Sequence, residues 1–219
     1  MNQHPLLIRV LLTLLVYLLL QYLGGSLGAL VLYPVTLIVT FLHEFGHGIG
    51  AILTGGRVEA LQINSDGSGY TVTSGGIKSI ILMGGYLGSA LLGNLLFYIA
   101  AKKPHTTVST LYFLALTMVF VAIFWFNSIY TSLFLVFSSY CLYFVASRRF
   151  FHQELLLFLG LAATLYIIQD FNIGPRSDLE LYAQTMAFLP SVLWMYVWLF
   201  IALLICFWNL RMIFRAEPS

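Results

Sequence analysis

His43-Glu44-Phe45-Gly46-His47 lies inside an apolar run over about residues 30–53, which sets two imidazoles and a carboxylate at the depth of a lipid bilayer. On a helix, positions i and i+4 stack on one face. His43 and His47 can then hold a single metal ion while Glu44 reaches the water on it. Zinc with a histidine pair and an open position activates that water for attack on an amide carbonyl, and the glutamate takes its proton. The competing reading is a chance match in a buried helix. Against it, ionisable groups within membrane segments are costly and usually face a cavity, a partner or a functional site.

A catalytic zinc usually takes three protein ligands, so a third is expected elsewhere in the chain. His4, His105 and His152 lie near the ends of apolar runs and read as interfacial. Asp170 and Asp178 flank Gly174-Pro175 in a loop after the sixth apolar run. Leaving the second run, the chain crosses four times before that loop, which returns it to the side where the His43/His47 helix ends. Asp178, in Ser177-Asp178-Leu179-Glu180, opens a short amphipathic segment with Ser177 as a candidate cap. We take it as the third ligand, with Asp170 as the fallback. The alternative for Asp178 is a first-turn carboxylate favoured by the helix dipole.

The elements that must position these groups are membrane helices. Of 219 residues, 60% are hydrophobic and 8% charged, with mean hydropathy +0.94, whereas a soluble domain carries about a quarter charged residues. A span needs about twenty residues. Seven runs qualify, over 5–23, 30–53, 77–101, 108–126, 131–147, 151–169 and 189–210. The fourth and fifth are separated only around Asn127 and Ser128, and merging them makes six. The expected fold is an all-α polytopic bundle of six to seven transmembrane helices, one domain over 1–219. The first run reads as a retained anchor, since no small-residue cleavage site follows it.

The stretch 57–74 breaks the helical pattern. Leu61 and Ile63, then Tyr70 and Val72, alternate with polar neighbours around Asp66-Gly67, which predicts a small β-hairpin beside the His/Glu cluster. Its edge could hold a substrate in extended form by backbone hydrogen bonds; a plain connecting loop is the alternative. Gly84, Gly85, Gly88, Ser89 and Gly93 make small faces that let helices approach closely in lipid. They are expected to pack against Gly46 and Gly50. Cys141 and Cys206 lie far apart in apolar stretches and read as small buried hydrophobes. A net charge of +2, with scattered basic residues, points away from nucleic acid.

The His43–His47 motif in a membrane helix is followed by Thr54-Gly55-Gly56-Arg57-Val58, Gly67-Ser68-Gly69, Gly75-Gly76 and Gly84-Gly85-Tyr86-Leu87-Gly88-Ser89. Together they resemble the site-2 protease clan of intramembrane zinc metallopeptidases, and specifically its compact bacterial B-like branch. The resemblance covers about residues 34–93, and Ser177-Asp178 is similar to the acidic motif of that branch. The better-known members carry a Leu-Asp-Gly motif in a late membrane helix, which this chain lacks. The resemblance implies zinc held at His43 and His47, Glu44 as general base, a membrane protein or peptide as substrate, and a bacterial inner-membrane location. Two other functions fit the residues: an ion or proton relay through His43, Glu44, His47 and Asp178, and a non-catalytic scaffold. Arg9, Arg57 and Lys78 pull one end of the bundle toward the cytoplasm, and Lys102-Lys103, Arg148-Arg149, Arg211 and Arg215 pull the other. The resemblance implies a cytoplasmic amino terminus and hairpin.

Overall fold

The computed structural model describes residues 4–149, 151–169, 173–175 and 177–215. Helix α1 (His4–Leu18) passes through a π-helical turn (Leu19–Leu23) into α2 (Gly25–Leu53), which carries the histidine motif. Strands β1 (Arg57–Ile63) and β2 (Gly69–Ser74) follow, then α3 (Lys78–Met83), a second π-helical turn (Gly84–Gly88) and α4 (Ser89–Lys102). The remaining helices are α5 (Thr107–Phe124), α6 (Ile129–Arg148), α7 (His152–Gln169), α8 (Asp178–Met186) and α9 (Ser191–Phe214). Among the described residues, six helical stretches are long and apolar enough to cross a membrane: Leu6–Leu23, Gly25–Leu53, Lys78–Lys102, Pro104–Phe124, Ile129–Arg148 and Ser191–Phe214. The chain is a multi-pass, all-α membrane protein with one two-stranded sheet, as its composition predicts. The fourth and fifth runs are separate helices, because Ser128 caps α6 by accepting from the Thr131 N–H at 3.2 Å.

Apolar side chains such as Phe113, Leu116, Phe137, Phe200 and Phe207 point outward, where lipid replaces water. Lipid is as apolar as leucine, so close packing has to hold the helices together. The small residues supply it. A Cβ on Gly84 would lie 2.5 Å from the Gly46 carbonyl oxygen, and one on Gly50 would lie 3.0 Å from the Ile80 carbonyl oxygen. The α2 backbone therefore rests directly on α3 and the turn after it. A Cβ on Gly93 would lie 2.8 Å from that of Ala163, which seats α4 against α7. A buried amide pair joins α9 to α4, the Asn209 amide donating to Asn94 O and Oδ1, both at 2.9 Å. The cysteines differ from expectation: Cys141 is exposed and Cys206 half-buried, both free thiols. They lie on lipid-side stretches of α6 and α9 rather than in the core.

Helix α2 stops at Thr54-Gly55-Gly56, where Gly55 takes φ 82°, a left-handed conformation open to glycine. The chain then runs back alongside α2 as the hairpin. Its strands pair antiparallel with Leu61 opposite Thr71 and Ile63 opposite Gly69. The connection spans 64–68 and is closed by Asp66, whose Oδ1 accepts from the Ser68 N–H at 2.9 Å. The Thr40 hydroxyl anchors this loop to α2 by donating to the Gly67 carbonyl at 2.6 Å. One feature of the alternation is reversed. Leu61 and Ile63 are fully buried, but Tyr70 and Val72 are exposed, and the residues of β2 that share the inner face are Gly69 and Thr71.

Candidate metal centre

Two turns of α2 present His43 and His47 on one side, and three elements close on them. The Nε2 atoms of the two imidazoles are 3.2 Å apart. Asp178 Oδ2 lies 3.0 Å from His43 Nε2 and 3.1 Å from His47 Nε2. His47 Nδ1 donates to the Ile81 carbonyl at 2.7 Å, which fixes the tautomer and leaves an Nε2 lone pair facing the carboxylate. Two lone pairs at that distance repel unless a cation or proton stands between them. A tetrahedral zinc with bonds of about 2.0–2.1 Å separates its ligand atoms by about 3.3 Å, close to the three distances here. The donor set, two nitrogens and one carboxylate oxygen, suits that ion.

Asp178 reaches this point from α8, whose first turn is capped by Ser177 Oγ accepting from the Glu180 N–H at 3.3 Å. Burial alone would raise its carboxyl pKa, but His47 and His43 beside it hold it well below the usual carboxylate range. The face of α8 away from the loop packs Leu179 and Tyr182 onto Trp194 and Trp198 of α9. Asp178 is thereby carried on a packed helix, although it lies in a loop region of the sequence. Asp170 lies outside the described residues, as does the side chain of His4. His105 sits exposed in a turn before α5 and His152 opens α7, both away from the centre.

Glu44 is buried and its carboxylate lies within 4.8 Å of the imidazole nitrogens. It is set aside from the three converging atoms by the hairpin. The Thr71 hydroxyl lies 2.8 Å from Glu44 Oε2 and 2.9 Å from its backbone oxygen. A Cβ on Gly69 would lie 2.8 Å from Glu44 Cγ, so β2 forms a slot around the carboxylate. The second π-helical turn covers the opposite side. A Cβ on Gly85 would lie 2.5 Å from His43 Nε2 and nearer still to His47 Nε2, and the Tyr86 ring stands edge-on to His43 at 4.8 Å. Thr71, Gly85 and the Ile81 carbonyl were not singled out from sequence as parts of the site. Only their nearness in sequence to the motif hinted at them.

These groups line a cavity of about 450 Å³ that also reaches Tyr70, Thr73, Lys78 and Leu181. β1 has its outer edge covered: the Leu61 N–H donates to the Trp125 carbonyl at 2.8 Å and the Ile63 N–H to Thr131 Oγ1 at 3.1 Å. In an antiparallel ladder, opposed residues turn their backbone groups either both inward or both outward. Gly69 and Thr71, opposite Ile63 and Leu61, therefore turn theirs to the outer edge of β2, beside the cavity. No curated protein and no solved structure matches the chain. A family model, that of the peptidase M50B-like proteins, matches residues 7–209. With the match running over nearly the whole chain, the protein belongs to the peptidase M50B-like family, the B-like branch of the site-2 protease family of membrane metallopeptidases.

Proposed function

We propose that the protein is an intramembrane zinc metallopeptidase that hydrolyses peptide bonds of membrane-embedded or membrane-adjacent segments. The observation that carries this is the meeting of His43 Nε2, His47 Nε2 and Asp178 Oδ2 within 3.0–3.2 Å of one another, with a separately held carboxylate next to them. His43, His47 and Asp178 are the proposed ligands. Zinc bound there would polarise the scissile carbonyl and acidify a water. Glu44 accepts the proton as the water oxygen bonds to the carbonyl carbon, then passes it to the amide nitrogen as the C–N bond breaks. Thr71 aims the Glu44 carboxylate, and burial keeps bulk water from it. The outward N–H and C=O groups of Gly69 and Thr71 take the substrate as an added strand. That pairing presents an extended backbone to Glu44, and extension is required because the amides of a helix are shielded within it.

The test is Glu44→Gln, which keeps the size of the side chain but accepts no proton. It should keep zinc and bind substrate while losing about a hundredfold to ten-thousandfold in rate. The assay is co-expression with single-span membrane proteins, their processing followed on gels. Equal processing by Glu44→Gln and wild type would remove the peptidase mechanism and leave the relay or scaffold reading.

A further inference from the structure

The cavity that holds the metal centre is not alike along its length. At the hairpin tip its lining is neutral, with Thr40, Gly67 and Ser68. At the hairpin base Thr73 and Lys78 line it, and among the described lining residues Lys78 is the one permanent cation. The chain is held in place there. Gly75 and Gly76 take φ 70° and 76°, a left-handed pair that turns the end of β2 into α3. The Ile77 N–H donates to Thr54 Oγ1 at 3.0 Å, which ties this turn to the end of α2. Lys78 opens α3 three residues before Ile81, whose carbonyl accepts from His47 Nδ1. Its Cα therefore lies about 4.5 Å along the helix axis from the residue that orients the metal centre.

The charge at this point is unmatched. Arg57, at the base of the hairpin, is paired with Glu59 at 2.6 Å. Lys78 is exposed and makes no ion pair with any described residue. The other fixed charges that line the cavity are the carboxylates of Glu44 and Asp178, and a divalent ion at the centre would balance them. Lys78 then leaves the cavity with an excess positive charge, placed at one end. An acidic side chain meets the two carboxylates anywhere nearer the centre and a free cation only at Lys78. Lipid around the helices sharpens the contrast, since low-dielectric walls focus the field of a charge into a cleft.

We infer that Lys78 is a specificity-determining residue that seats an acidic side chain of the substrate on the N-terminal side of the cleaved bond. The inference rests on the peptidase reading and on the strand edge of Gly69 and Thr71. A strand that adds to this edge in the antiparallel sense, the more stable pairing, runs opposite to β2. β2 runs from Gly69 beside Glu44 toward Ser74, so the N-terminal half of the substrate extends toward Thr73 and Lys78. Thr73 is two residues past Thr71, about 7 Å along the strand. With the scissile carbonyl over Glu44 and Thr71, the substrate residue beside Thr73 is the second before the cleaved bond. The lysine stem spans the further distance to the third and fourth. An Asp or Glu within two to four residues before the cleaved bond is thus the preferred feature of a substrate.

The test uses the full chain in proteoliposomes and a single-span reporter whose cleaved bond is mapped by mass spectrometry. Glu, Gln or Lys is scanned through the segment on both sides of that bond. At the second to fourth positions before it, kcat/KM for Glu should exceed that for Gln by about twofold to fivefold, the range of a solvent-exposed ion pair. The preference should vanish in Lys78→Ala and pass to the Lys reporters in Lys78→Glu. Each ratio is taken within one variant, so a general loss of activity cancels. Raising salt toward about 1 M shortens the screening length to about 3 Å and should shrink the preference in the wild type. A Glu preference that survives Lys78→Ala, no preference before the bond, or one confined to positions after it overturns the inference. Capture of the uncleaved reporters by Glu44→Gln, read by crosslinking, should follow the same order and needs no catalysis. Charge-ordered capture without cleavage by the wild type removes the peptidase reading alone, and cleavage without charge order removes the role of Lys78 alone.

Discussion

Replacing Thr71 by Val tests whether the hairpin serves Glu44 or merely connects α2 to α3. Valine matches threonine in shape and suits a strand, so the edge that Thr71 offers through its backbone is unchanged. What is lost is the hydroxyl 2.8 Å from Glu44 Oε2 and 2.9 Å from Glu44 O. A hydrogen bond to a charged group contributes about 1.5–3 kcal/mol, and each 1.4 kcal/mol or so in a barrier is about tenfold in rate. Thr71 lines the cavity, so water can replace the hydroxyl in part, and the lower end of that range applies. Turnover should fall by about tenfold to thirtyfold, with KM and zinc content unchanged and most activity returning in Thr71→Ser. The assay is cleavage of a single-span membrane reporter in proteoliposomes, with elemental analysis of the same preparation. Turnover within twofold of wild type would refute a positioning role for Thr71. A loss of zinc in Thr71→Val would show that the hairpin acts on the centre as a whole.

Elemental analysis should find one zinc per chain in the wild type and none in the His43→Ala/His47→Ala double variant; equal content in both would refute the assignment of the ligands. Asp178→Asn offers an amide in place of a carboxylate and should release zinc to a chelator at concentrations that leave the wild type loaded. Retention equal to wild type moves the third position away from Asp178. Gly85→Ala puts a methyl group into the space between the imidazoles and should cut zinc content while the chain still inserts and migrates as wild type on size exclusion, whereas full zinc occupancy would mean that the π-helical turn yields.

What the sequence displayed was local. The pairing of His43 with His47 needs only helical spacing, and the hairpin needs only alternation around a turn, so both were legible before any coordinates. The convergence of Asp178 is different. Parity of crossings brings its loop to the correct end, but only the packing of Leu179 and Tyr182 under Trp194 and Trp198 delivers Oδ2 to within 3.1 Å of both imidazoles. The pairing of Arg9 with Glu154 is hidden for a related reason: hydropathy counts crossings and is blind to the path of a helix, and the two residues are 145 positions apart.

The hairpin shows the limit most clearly. Tyr70 and Val72 are the apolar residues of β2, and alternation alone assigns them to the interior. A strand's inner face is chosen by its partner, however, and β1 commits Leu61 and Ile63 inward with Thr71 and Gly69 opposite them. The small and polar residues of β2 are therefore the ones pressed against α2, where bulk would collide with Glu44 and a hydroxyl can bond to it. The hydroxyl that meets the Glu44 carboxylate was hidden in the segment whose pattern was plainest, because an apolar rule cannot see a face set by contact with a buried polar group.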